Sequence, residues 1–425
     1  MVEQVPVTII APVRPEALQP LRELLETMGP DPSGNDVVPF GRFGGVHFAR
    51  FVVLEPTVDL KGRPIPPSLL FLSDVDGPAE AFLGELVVVA GPGIDRLYAH
   101  CGGYPAEGDR TRETRLAYLR AHRVEASAAY VNTHGRTVEQ IRQEARLREA
   151  IEEFVDRSRP AWSGVPATAV RSAIQDFVAS QEALRWARQP PDGDGLSRRL
   201  GQAGALAAGA LPILLVAPAA LVALPSLVVL LRLHELTDPV KRLRPSDRRV
   251  QELGALEDHV VHNQFSAVGF VKPSPFRRLV ALGVLWLVNF GARHLFGRAD
   301  LAGVKTIHFA RWVFVDEGRR LFFASNYDGS LESYMDDFID KVAWGLNAVF
   351  SNGVDYPRTN WLVLDGAKDE EAFKSFIRTH QIPTQVWYAA YDQLTALNIE
   401  NNARIREGLS GSLGADEVEA WLRRL

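Results

Sequence analysis

The chain carries one segment twice. His47-Phe48-Ala49-Arg50-Phe51 returns as His308-Phe309-Ala310-Arg311-Trp312. Leu70-Phe71-Leu72-Ser73 with Asp76-Gly77 returns as Phe322-Phe323-Ala324-Ser325 with Asp328-Gly329. Arg120 and His122 recur as Arg378 and His380, and Ala145-Arg146-Leu147-Arg148-Glu149 as Ala403-Arg404-Ile405-Arg406-Glu407. The spacing from His122 to Arg148 equals that from His380 to Arg406. A repeat of this kind constrains the architecture before any motif does, because each copy must adopt the same supersecondary unit.

Between the copies lies an apolar insert. Residues 200–231 contain no charge and are flanked by Arg198-Arg199 and Arg232. That exceeds the roughly 20 residues a helix needs to cross a bilayer. Pro212, Pro218 and Pro225 interrupt it, and each removes a helix hydrogen bond. A single span would put the copies on opposite sides of the membrane, so a proline-bent hairpin that enters and returns is expected. Arginines and lysines on both flanks (Arg185, Arg188, Lys241, Arg242, Arg244, Arg248, Arg249) place both ends on the cytoplasmic side, against anionic lipid. A second apolar run, 279–296, follows Arg277-Arg278 and suits a helix lying in the interface. The expected location is the cytoplasmic face of a membrane, peripheral or monotopic, and membrane lipid is the expected partner.

Composition narrows the classes. At 425 residues the chain holds two or three domains. Its net charge of −5 gives no general attraction to nucleic acid, and no nucleic-acid motif appears. Cys101 is the sole cysteine, which excludes an intrachain disulfide and a thiolate cluster and favours a reducing compartment. Met1-Val2-Glu3-Gln4 lacks the basic and apolar regions of a cleavable signal. Neither a glycine-rich phosphate loop nor a nucleophile elbow is present in its required context.

Each copy reads as βαββαβ, the order of a ferredoxin-like sandwich. In the first, strands are expected at 7–11, 46–54, 69–73 and 126–131, with helices at 15–28, 79–89 and 112–122. In the second, strands fall at 265–271, 306–315, 320–325 and 385–391, and helices at 279–296, 330–344 and 370–380. The expected fold is α+β: two tandem ferredoxin-like repeats packed as a pseudo-twofold α+β barrel, with an apolar helical insert docking on a membrane. The expected domains are 1–155, 156–261 and 262–425.

Several residues can carry chemistry. In a regular strand His308, Ala310 and Trp312 point one way and Phe309 and Arg311 the other. The His and Arg need partners, and a structural ion pair competes with a functional role. Ser325-Asn326-Tyr327-Asp328-Gly329-Ser330 joins a strand to a helix. Asp328 or Ser330 is expected to cap that helix, and the same loop would bring Asn326, Tyr327 and Asp328 to a pocket. His259 and His262 beside Glu257 and Asp258 have the spacing of metal ligands on one helical face, or of a plain helix end. Trp387, Tyr388 and Tyr391, with His380 nearby, form an aromatic patch at the last strand, where core packing is the default. The second copy is richer in aromatics and is the expected active one.

Tandem ferredoxin-like copies closing on Asp76-Gly77 and Asp328-Gly329 resemble the dimeric α+β barrel superfamily, which includes dye-decolourising peroxidases and chlorite dismutases. The resemblance implies haem, with Arg311 and Asp328 facing peroxide, Asn326 and Tyr327 beside them, and His308 or His380 on the iron. Trp387 and Tyr388 would line the cofactor, and His259 with His262 are the alternative metal pair. The implied function is a membrane-associated, peroxidase-like oxidoreductase acting on a lipophilic small molecule. A non-catalytic lipid- or tetrapyrrole-binding protein and a membrane scaffold are the other readings.

Overall fold

A computed structural model describes residues 2–158, 162–189, 218, 222–294 and 303–425. The fold is α+β with antiparallel sheets. The N-terminal part runs β1 (Gln4–Pro12), α1 (Leu18–Met28), β2 (Val46–Leu54), β3 (Ser68–Asp76), α2 (Ala79–Val89), α3 (Arg112–Ala121), β4 (Ala128–Val131) and α4 (Val138–Arg157). Helices α5 (Ala167–Ser180) and α6 (222–237) follow. The C-terminal part runs β5 (His262–Phe270), α7 (Pro275–His294), β6 (Ile307–Val315), β7 (Arg320–Asp328), α8 (Leu331–Phe350), α9 (Glu370–His380), β8 (Val386–Ala389), α10 (Ala396–Leu409) and α11 (Ala415–Leu422). The expected apolar hairpin at 200–231 lies outside the described residues except for 218 and 222–231.

Two four-stranded sheets have the orders β1-β3-β2-β8 and β5-β7-β6-β4. A ferredoxin-like unit would return its own last strand to the edge beside its first. Here β4 pairs with β6 and β8 pairs with β2, so each sheet borrows an edge strand from the other half of the chain. The route explains the departure. After α3 the chain touches the β1 edge only briefly, where the Ile10 amide donates to the His122 carbonyl and the Val124 amide to the Thr8 carbonyl, and then crosses to β6. After α9, Ile382 donates to the Ser266 carbonyl in the same way before the chain crosses to β2. These short contacts also cover edges that would otherwise pair with a foreign strand.

Strand β2 (HFARFVVL after Val46) is buried along its whole length, although antiparallel strands commonly face water on one side. Its outer face packs on α1 and α2: Ala49, Phe51 and Val53 meet Leu21, Leu25, Phe82 and Leu86. Leu18, Leu21, Leu25 and Met28 recur at helical spacing, so α1 presents one apolar stripe. The inner face meets the other sheet, where Val52, Leu54, Leu70 and Leu72 pack on Val313, Val315, Phe322 and Ala324. The layers are therefore helices, sheet, sheet, helices. Helices α4 and α10 lie side by side and close one end, with Phe48, Val131, Ile141, Phe309, Tyr391 and Ile399 packed beneath them.

Candidate functional site

The recurring histidines sit at β-bulges. In the β2–β3 and β6–β7 ladders the register slips between Val46 and Phe48 and between Ile307 and Phe309, so His47 and His308 are the extra residues. A bulge re-aims its side chain. His308 therefore leaves the alternation expected of it. Ala310 and Trp312 enter the outer core, whereas the His308 ring lies against Phe48 and Tyr391 between the sheets.

Each bulged histidine meets the aspartate that ends the neighbouring strand. His47 Nε2 is 3.0 Å from Asp76 Oδ1, and His308 Nε2 is 2.7 Å from Asp328 Oδ1. The second carboxylate oxygen accepts a helix amide, Val138 N–H at α4 for Asp76 and Ala396 N–H at α10 for Asp328. An anion there is stabilised by the amides and dipole of the helix start. Asp328 thus supports a helix, but not the one next to it in sequence: α8 is capped by Ser330, whose hydroxyl accepts Ser333 N–H, and Gly329 takes the left-handed φ of +79°.

Arg50 and Arg311 cross between the sheets. Arg311 donates to the carbonyls of Val7 and Ser73, to Thr8 Oγ1 and to Asp74. Arg50 donates to the carbonyls of Phe265 and Ser325, to Ser266 Oγ and to Asn326. Burial first, then repulsion by Arg311, brings the Arg50 pKa down to about 9. Arg311 pairs with Asp74 and not with Asp328, so the pair implied to face peroxide is not assembled. Tyr327 turns to the outer core and stacks on Tyr334 at 4.0 Å, away from Asn326, which accepts from Trp387 Nε1 at 3.0 Å. Tyr388 faces the outer core of the first sheet beside Phe40.

Among the described residues, neither expected iron ligand, His308 nor His380, has space for a haem beside it. The cavity among Arg50, Asp74, Arg311 and Asn326 is about 10 Å³, space for one water. The His308 ring is wedged against Phe48, His262 and Tyr391. His380 lies on the outer side of the second sheet, at an apolar cleft of about 40 Å³ with Phe265, Ala281 and Phe376. Pockets that enclose ligands of cofactor size hold on the order of several hundred Å³.

The expected His259–His262 pair is also separated: His259 is exposed and bonds the Ala255 carbonyl, while His262 begins β5 and is buried. His262, His308 and Asp328 do bring ligand atoms within 4.8 Å of one another. Each has one ligand atom already engaged, while His262 Nδ1 is buried without a hydrogen-bond partner among the described residues. His262 Nε2 lies 2.6 Å from the Leu394 carbonyl, and His308 Nε2 is on Asp328. Gln4 pairs with Asp76 as His262 pairs with Asp328, and its amide donates to the Thr133 and Arg136 carbonyls ahead of α4. His262 therefore performs the task of a glutamine, tying a strand to the turn before a helix.

The surface differs from this closed interior. On α7, Ala281, Leu285 and Ala292 face the core, while Leu279, Leu282, Trp286 and Leu287 are 41–62% exposed with no charge among them. On α6, Val222, Leu224, Val229, Leu233 and Leu236 are at least half exposed. The two helices meet at one corner: His234 stacks on Phe276 at 5.2 Å, and Asp238 pairs with Lys272 and Arg277. Glu235 holds the 359–362 loop there, on which Trp361 is 51% exposed. No described helix is long and apolar enough to cross a membrane.

No protein-family model matches the chain, and neither a curated protein nor a solved structure does.

Proposed function

We propose that the chain is a non-catalytic, membrane-surface lipid-binding protein whose two halves are copies of one unit, packed as a pseudo-twofold α+β barrel. The charge-free exposed stripe of α7 carries this reading. Soluble proteins rarely expose contiguous apolar patches of this kind, and one rimmed by cations marks a membrane or partner site. Arg278 and Arg293 bracket the stripe, as in helices that lie in the lipid interface. The apolar part of α6 and Trp361 extend it, the tryptophan being a residue that favours the headgroup boundary. The twofold reading draws on the matching sheet orders, bulges and histidine–aspartate–helix supports. The inter-sheet polar groups answer one another, which suits a scaffold for the docking face.

Vesicle flotation without detergent tests this. The intact chain should float with vesicles, and Leu279→Asp with Leu287→Asp should return it to the soluble fraction with an unchanged circular dichroism spectrum. A wild-type chain that stays with the soluble fraction whatever the vesicle composition rules the proposal out.

A further inference from the structure

At the start of α7 a surface cavity of about 320 Å³ is lined by Lys61, Arg63, Lys272, Arg278 and Arg319, with Asp59 the only carboxylate among the described residues. These cations come from four places in the sequence: the short hairpin between β2 and β3, the β5–α7 loop, the first turn of α7 and the β6–β7 turn. Asp59 is already engaged, its oxygens accepting the amides of Lys61 and Arg63 at 2.8 and 2.9 Å and the Arg63 Nε–H at 2.7 Å. Lys272 shares Asp238 with Arg277, two cations on one carboxylate. Burial, then Arg277, brings the Lys272 ammonium down to about 8. Among the described residues Lys61 and Arg278 make no ion pair. Gly318, at φ +83°, makes room for Arg278, whose Nη2 would lie 2.6 Å from a Cβ added there. The first turn of a 20-residue helix opens on the same space.

The cavity does not stand alone. Phe270 and Val271 line both it and the apolar cleft of Ala267, Ala281, Phe376 and Ile377. Leu279 and Leu282, exposed on α7, follow Arg278 by about 6 Å or less along the helix. A polar cage for an anion, an apolar slot and a lipid-facing stripe are thus contiguous.

We infer that this cavity binds the phosphate headgroup of an anionic membrane lipid, with its acyl chains lying along the exposed α7 stripe. The inference rests on the membrane-surface reading and specifies its ligand. Guanidinium and ammonium groups around one space match the oxygens of a phosphate ester.

The test compares the intact chain, Lys61→Gln/Arg278→Gln, and Arg157→Gln/Arg423→Gln, which removes the same charge from exposed positions outside the cavity. Binding is measured to phosphatidylcholine vesicles with and without phosphatidic acid, and to inorganic phosphate by calorimetry. The cavity variant should bind phosphatidic-acid vesicles about 30-fold more weakly than wild type, and the outside variant within about threefold of it. Wild-type binding to both vesicle types with equal affinity overturns the headgroup site and leaves the membrane reading standing. Equal losses in the two double variants overturn it in favour of diffuse attraction. Wild type that binds no vesicle removes the membrane reading. Inorganic phosphate bound in that case, and lost in the cavity variant, assigns the cavity to a soluble phosphate ester and overturns the lipid assignment.

Discussion

Arg311 forms an ion pair with Asp74 across the gap between the sheets, while Arg50, at the matching position of the other sheet, meets the uncharged Asn326. Two buried guanidiniums therefore share one carboxylate. Removing one partner of a buried pair leaves an unanswered charge, at a cost of about 3–5 kcal/mol. Arg311→Met is expected to destabilise by that amount in urea unfolding. Arg311→Met with Asp74→Leu should be less stable than the single variant, because it leaves the buried Arg50 with no carboxylate near it. A single-variant loss under about 1 kcal/mol would remove Arg311 from the account of how the sheets are joined.

His262 makes stability depend on acid. Burial first, then His308, lowers its pKa from 6.5 to about 4. The folded chain then binds fewer protons than the unfolded chain between those values. Stability is present in full above about pH 6.5 and falls as pH drops toward 4, by at most about 3 kcal/mol. His262→Gln, which copies the role of Gln4, should flatten that part of the stability–pH curve while keeping the tie to the Leu394 carbonyl. The same variant separates a structural histidine from a metal ligand. Zinc should leave the wild-type melting temperature unchanged, and a rise of several degrees that His262→Gln abolishes would make the cluster a metal centre.

Much of this was legible in the sequence. The repeated segments located β2, β3, β6 and β7, and β8 and α9 fall within a few residues of where periodicity put them. The bulges were not legible, because a strand with one extra residue keeps the same composition as a regular one. A regular strand would therefore put His308 on the face of Trp312, and the bulge moves it off. The exchange of β4 and β8 was hidden too: four-residue strands carry no mark of which edge they join. The partners of Arg311 (Val7, Thr8, Ser73 and Asp74) lie hundreds of positions away, so its tie to Asp74 could not be told from one to Asp328. The basic cavity gathers Lys61, Lys272 and Arg319 from three turns, and no local pattern announces it. The apolar character of α7 was legible as a run without charge from Leu279 to Ala292, whereas which of its residues stay exposed was not.

Gly408 supports the helical end of the molecule. A Cβ there would lie 2.0 Å from Trp421 Cδ1, and the Gly408 carbonyl accepts from Arg171 Nε at 2.9 Å. Alanine normally favours a helix over glycine by up to about 1 kcal/mol. Here the indole cannot stay, since its own Nε1 is bonded to the Ile405 carbonyl. Gly408→Ala should therefore destabilise by about 1–3 kcal/mol, the usual range for overpacking. Hydrogen exchange should accelerate in Ala415–Leu422, and unchanged protection there would show that Trp421 repacks without loss.

Glu235 holds the loop that carries Trp361, the residue proposed to extend the docking face. Its buried carboxylate accepts the amides of Trp361 and Leu362 at 3.0 and 2.7 Å and pairs with Arg232 at 3.1 Å. Both amides belong to non-glycine residues in the left-handed region, with φ of 54° and 68°. Such a pair persists only where its surroundings hold it, each residue costing about 1–2 kcal/mol. Arg232 in turn lies 5.5 Å over the Trp361 ring. Glu235→Ala should release the loop: amide exchange at 359–365 should rise at least about tenfold, since hydrogen bonds to a charged group contribute about 1.5–3 kcal/mol each. Vesicle affinity should fall with it while the protein keeps its melting temperature to within a few degrees. Faster exchange with unaltered vesicle binding would place Trp361 outside the docking face.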